Sequence, residues 1–102
     1  MIATKVSVTE KHIADGEPGD PYCCALALAL LDALSAEGAE VTRIEVTDAE
    51  GGWTAEVEQD DAAGLRVFWA ELDEETVEFV EAFDAQLRVG PFETELTWEA
   101  AS

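Results

Sequence analysis

A chain of 102 residues is one domain, long enough to bury a modest core without disulfides or metals. Hydrophobic residues make up 48%, which excludes disorder throughout. Twenty-four acids against five bases (Lys5, Lys11, Arg43, Arg66 and Arg88) give a formal net charge of −19, which excludes direct binding to nucleic acid or anionic membranes and speeds encounter with basic surfaces.

Thr4 to Thr9 alternates, with Val6 and Val8 on one side, as a half-buried strand does. Thr9 can cap a short helical turn over Glu10 to Ala14 that Asp15-Gly16 stops, and Glu17-Pro18-Gly19 then turns the chain. The stretch DPYCCALALALLDALSAEG, Asp20 to Gly38, predicts the central helix, with Asp20 as cap, Pro21 in the first turn and Gly38 as terminator. Its leucines point several ways, so it must be covered nearly all round. Its apolar run meets Asp32 after about eleven residues, too short to span a bilayer.

Val41 to Thr47 reads as a strand with Ile44 and Val46 inward, and Asp48 to Gly52 as a hairpin loop. Trp53, Ala55 and Val57 alternate with Thr54, Glu56 and Glu58 in the next strand. Gln59 to Gly64 turns again, and Leu65, Val67 and Trp69 then share one face, with Arg66 and Phe68 on the other. The three tryptophans, Trp53, Trp69 and Trp98, are expected in the core. Asp73 caps a second, amphipathic helix whose apolar stripe is Val77, Val80 and Phe83, with Phe79 and Leu87, and which Gly90-Pro91 ends. Phe92, Thr94, Leu96 and Trp98 alternate with Glu93, Glu95, Thr97 and Glu99 as a last strand. The order β-α-β-β-β-α-β predicts an α+β fold of two layers: one antiparallel sheet of four to five strands, with both helices on a face.

Two stretches, HIADGEPGDPYCCALALAL and FVEAFDAQLRVGPFETEL, resemble a group of small acidic proteins of unknown function from actinobacteria and their phages. In that group a proline usually follows the second cysteine, where this chain has Ala25; the departure lets the helix begin at Pro21 instead of after Cys24. The resemblance implies a phage or mobile-element setting and transfers no site residues.

Acid patterning is the feature closest to function. From Val67 to Leu87 there are seven acids and no base. On a helix Glu74, Glu78 and Glu81 line one exposed face beside Glu75, where like charges repel by a few tenths of a kcal/mol per pair. Glu56 and Glu58 hold the outer side of one strand, and Glu93 and Glu95 that of another. These eight glutamates are the expected contact surface for a basic nucleic-acid-binding protein or complex, which the chain would inhibit by presenting carboxylates in place of phosphates. The alternative is a small assembly protein, a homodimer that covers the apolar helix, whose charge serves only solubility in a salt-rich cytoplasm.

Adjacent Cys23 and Cys24 give no disulfide framework and fit a reducing compartment. No charged segment followed by an apolar one opens the sequence, so a cytoplasmic protein without a secretory signal is expected. In the first turn of the central helix the two thiols would feel its dipole, but no CxxC spacing or evident base accompanies them, and inert thiols are expected. With His12 they match no zinc module, and His12 is expected to be a surface or capping residue. Asp60-Asp61 and Asp73-Glu74-Glu75 suit a turn and a cap, and Asp48 to Gly51 is too short for an EF-hand loop. No phosphate-binding glycine loop, nucleophile elbow or Ser/His/Asp arrangement is present, so neither an enzyme nor a cofactor is expected.

Overall fold

The computed structural model describes residues 3–49, 52–61 and 64–100, which form six strands and three helices. They are β1 (Ala3–Val8), α1 (Glu10–Asp15), α2 (Ala25–Ala36), β2 (Val41–Ala49), β3 (Gly52–Asp61), β4 (Gly64–Glu71), α3 (Glu74–Asp84), β5 (Phe92–Thr97) and β6 (Glu99–Ala100). The class is α+β, but the strands divide between two antiparallel sheets where one was expected. β2, β3, β4 and β6 form one sheet in that order, and β1 pairs with β5 in the other. The division falls at Trp98, between β5 and β6. Its buried indole donates from Nε1 to Thr4 Oγ1 at 2.9 Å, so one bent strand serves both sheets. No helix among the described residues is long and apolar enough to cross a membrane.

Alternation decides which side of each strand is buried. Thr4, Val6 and Val8 of β1, Ile44 and Val46 of β2, Ala55 and Val57 of β3, and Leu96 of β5 are buried as their spacing implies. They meet Leu26, Leu30 and Leu34 of α2 and Phe79, Val80 and Phe83 of α3. A fully buried leucine contributes about 1.5–3 kcal/mol, and the three leucines of α2 are each 0% exposed.

β4 faces the other way from the expectation. Its register sets Phe68 opposite Val57 and Ala70 opposite Ala55, and directly paired residues share a face. Phe68 and Ala70 therefore turn inward, and Leu65, Val67 and Trp69 turn out. Trp69 lies beside Glu56 on the outer face, while Trp53 and Trp98 do join the core.

The central helix starts four residues later than expected, at Ala25, with Cys24 as its N-cap residue. Asp20 does accept from the amides of Tyr22 and Cys23, at 2.8 and 3.2 Å, but it caps only a turn. The carbonyls that would open the helix are used elsewhere: Pro21 O accepts from Val46 N of β2, and Cys23 O accepts from Glu17 N. The first helical bond is Leu28 N to Cys24 O. Gly16 fits against this start, since a Cβ there would stand 2.6 Å from Ala25 N. At the far end Gly38, at φ 86°, closes the helix as expected, with Ala39 N reaching back to Leu34 O.

α3 begins at its expected cap and ends early. Gln86, at φ 61°, takes the left-handed conformation that usually falls to glycine, and Leu87 N returns to Ala82 O. The helix therefore stops at Asp84, well before Gly90-Pro91, and Leu87 is 63% exposed instead of joining the apolar stripe. Both hairpin tips are shorter than expected. Asp48 and Ala49 pair with Trp53 and Gly52, and Asp60 and Asp61 with Leu65 and Gly64; residues 50–51 and 62–63 lie outside the described residues.

Candidate partner-binding surface

The acids of α3 are placed by its cap and its buried stripe. Asp73 Oδ1 accepts from Thr76 N at 2.8 Å, which starts the helix and fixes its rotation. Hydrogen bonds from the Thr76 side chain and backbone hold the Asp73 carboxyl below its usual pKa. Thr76, Phe79, Val80 and Phe83 are buried, and Thr76 Oγ1 lies in hydrogen-bond contact with Thr94 Oγ1 of β5 at 2.9 Å. At 100° per residue, Glu74, Glu78 and Glu81 then point directly away from the sheets, with Glu75 on the flank. All four are exposed, and among the described residues none has a hydrogen-bond or cation partner. Glu74 and Glu75 also gain from the positive end of the helix dipole.

The sheet acids are placed otherwise. Glu93 and Glu95 lie on the face of β5 opposite to Thr94, so they face away from the α3 ridge. Ser7 Oγ donates to Glu93 at 3.3 Å, and Glu95 stands opposite Lys5 in the register of β1 and β5. On the larger sheet Arg43 donates to Glu56 at 2.6 Å and lies 3.5 Å from Glu45. The Glu56 carboxylate holds the Arg43 guanidinium above its usual pKa. Thr42 Oγ1 donates to Glu58 at 2.7 Å. The eight glutamates thus fall into two groups on opposite sides of the molecule: four unpaired on α3, and four on outer sheet faces beside a base or hydroxyl.

His12 is a capping residue. Thr9 N donates to its Nδ1 at 3.0 Å while His12 N donates to Thr9 Oγ1, a reciprocal cap over α1. Its Nε2 lies 2.6 Å from Asp32 Oδ2 and ties α1 to α2, so the ring has no free nitrogen to give a metal. Cys24 is buried, which pushes its thiol up, and Cys23 is exposed. Among the described residues no three of His, Cys, Asp and Glu come together as a metal-binding group.

One surface was not anticipated. The outward turn of Leu65, Val67 and Trp69 lays an apolar stripe on the outer sheet face, and an open cavity of about 420 Å³ lies at its Trp69 end, lined also by Glu71, Asp73, Glu95, Thr97 and Glu99. The signal that could have revealed it is the hairpin register, since pairing Val57 with Phe68 turns Trp69 out. Comparisons of the chain with protein-family models, with curated proteins and with solved structures each return no match.

Proposed function

We propose that this protein is a non-enzymatic interaction protein, a nucleic-acid mimic that inhibits a basic DNA- or RNA-binding defence or regulatory complex in a phage or mobile-element setting. The observation that carries the reading is the α3 ridge. Glu74, Glu75, Glu78 and Glu81 stay exposed and unpaired on a helix, although their mutual repulsion costs stability. A partner's Lys and Arg side chains would relieve that repulsion and release the ions that phosphates otherwise displace. Charge density agrees. The long axis is 42 Å, over which duplex DNA at one charge per roughly 1.7 Å carries about 25 charges, against the 19 net charges here.

The test is retention of host nucleic-acid-binding proteins on the immobilised protein near 0.1 M salt, where the Debye length is about 10 Å. Retained proteins should be basic and should elute with duplex DNA. The variant carrying Glu74→Lys, Glu78→Lys and Glu81→Lys should fold and retain none of them. Retention unchanged by the three substitutions, or indifferent to DNA, overturns the reading.

A second reading, a small assembly protein, draws on one observation. Leu31 of α2 is 39% exposed and Tyr22 52% exposed, and with Leu28, Val41 and Arg43 they border an open cavity of about 320 Å³ beside the β2 edge. Sedimentation separates the two: a tight dimer that Leu31→Glu dissociates favours assembly, and a monomer favours mimicry.

A further inference from the structure

The apolar stripe of β4 is flanked by a line of carboxylates on β3 and, at its Trp69 end, by one more on β6. Leu65, Val67 and Trp69 pair with Asp60, Glu58 and Glu56 of β3, and Trp69 pairs on its other side with Glu99 of β6. Leu65 is 64% exposed, and Val67 and Trp69 are half-buried. Neighbouring strands are about 4.8 Å apart, so Glu56 and Glu99 stand roughly 10 Å from each other across Trp69. That gap matches the diameter of an α-helix with its side chains, about 10–12 Å. Leu65 to Trp69 spans about 13 Å along the strand, close to the roughly 11 Å of two helical turns.

The cavity at the Trp69 end adds a second requirement. Four of its lining residues, Glu71, Asp73, Glu95 and Glu99, are acids, none is a base, and Trp69 supplies an aromatic wall. Asp73 is occupied in capping α3, and Glu95 has Lys5 across the strand pair. Glu71 and Glu99 have no cation partner among the described residues. A guanidinium or ammonium entering here would meet both carboxylate acceptors beside the Trp69 indole.

We propose that this outer sheet face docks a basic amphipathic helix of the partner, its apolar side on Leu65, Val67 and Trp69 and one Arg or Lys side chain in the Trp69 cavity. The inference rests on the reading above for the basic character of the partner, and it adds a docking surface distinct from the α3 ridge. An apolar centre with a charged rim is the usual build of a protein interface. An extended peptide adds to a sheet edge, not to a face. A second copy would bring the same acids against these, with Arg43 the one base among them on this face of β2 and β3.

The experiment uses the intact protein and two synthetic peptides of about 18 residues, roughly five helical turns. Both contain the same leucines and arginines, one in amphipathic order and one scrambled. Binding is measured by calorimetry at about 0.15 M salt, where the Debye length is near 8 Å. The amphipathic peptide should bind at least about tenfold tighter than the scrambled one. Leu65→Ser with Val67→Ser and Trp69→Ser should remove that preference while circular dichroism and melting stay unchanged. Should that variant fold poorly, Glu71→Gln with Glu99→Gln leaves the stripe intact and should weaken binding about tenfold at low salt and little at high salt. Equal binding of the two peptides, or wild-type affinity in both variants, overturns the proposal. A dimer that Leu65→Ser dissociates assigns the face to a second copy and overturns it too. Host-protein retention is measured separately, so its loss with peptide preference intact sinks the mimicry reading alone, and the reverse sinks this one alone.

Discussion

α2 and α3 pack in the same layer against the sheets, and they are built to opposite specifications. In α2 six of twelve residues are buried, among them Leu26, Leu30 and Leu34, while its N-cap, Cys24, makes no side-chain capping bond. In α3 four of eleven are buried, its Asp73 cap is well formed, and the residues left over are largely glutamates. The difference is where each helix gets its stability. α2 holds by burial and can start on a weak cap. α3 buries one narrow stripe, so its cap and dipole matter more, and it carries a ridge of glutamates that repel one another along its exposed face.

Three substitutions sharpen that contrast. The largest effect is expected in α2: Leu30→Ala, at a site 0% exposed, should cost about 2–5 kcal/mol in denaturant unfolding, enough to threaten a domain of this size. Next comes the α3 cap. Asp73→Ala should cost about 1 kcal/mol at neutral pH. The folded-state pKa of Asp73 lies below the usual 3.8, so this stabilisation is complete above that value and fades as pH falls through the lowered one. Melting of wild type and variant should therefore converge in strong acid, and a gap that stays constant with pH would remove the cap from the account. The smallest effect has the opposite sign. Glu78→Gln should raise stability by a few tenths of a kcal/mol at low salt and by nothing at high salt, through relief of its neighbours Glu74 and Glu81. Binding to a basic partner should weaken in the same variant. A gain in stability with unchanged binding would make the ridge a mere solvated face.

Most elements were legible in the sequence because alternation, caps and helical spacing are local. Thr9, Asp73 and Gly38 each do what their residue type and position imply. The α2 start was not legible, because Pro21 O is claimed by Val46 N, a contact 25 residues away in the chain. The facing of β4 was ambiguous for a related reason. Leu65, Val67 and Trp69 outweigh Phe68 on any hydrophobicity count, and only pairing with Val57 turns Phe68 inward. The end of α3 was hidden because Gln86 fills a place where glycine is the usual signal. For the candidate surface, the α3 ridge could be read from spacing alone, whereas the opposite orientation of Glu93 and Glu95 depends on which face of β5 the helix covers.

The Trp98 bend has a consequence for how the chain is made. Thr4 receives its indole bond from a residue 94 positions later, and every rung between β1 and β5 spans a comparable distance. During synthesis β1 emerges before the other strands and must wait, with Val6 and Val8 uncovered, until β5 has followed. The β2–β3–β4 meander can assemble meanwhile, so folding should proceed in two stages, a quick local one and a slow closing one set by that long loop.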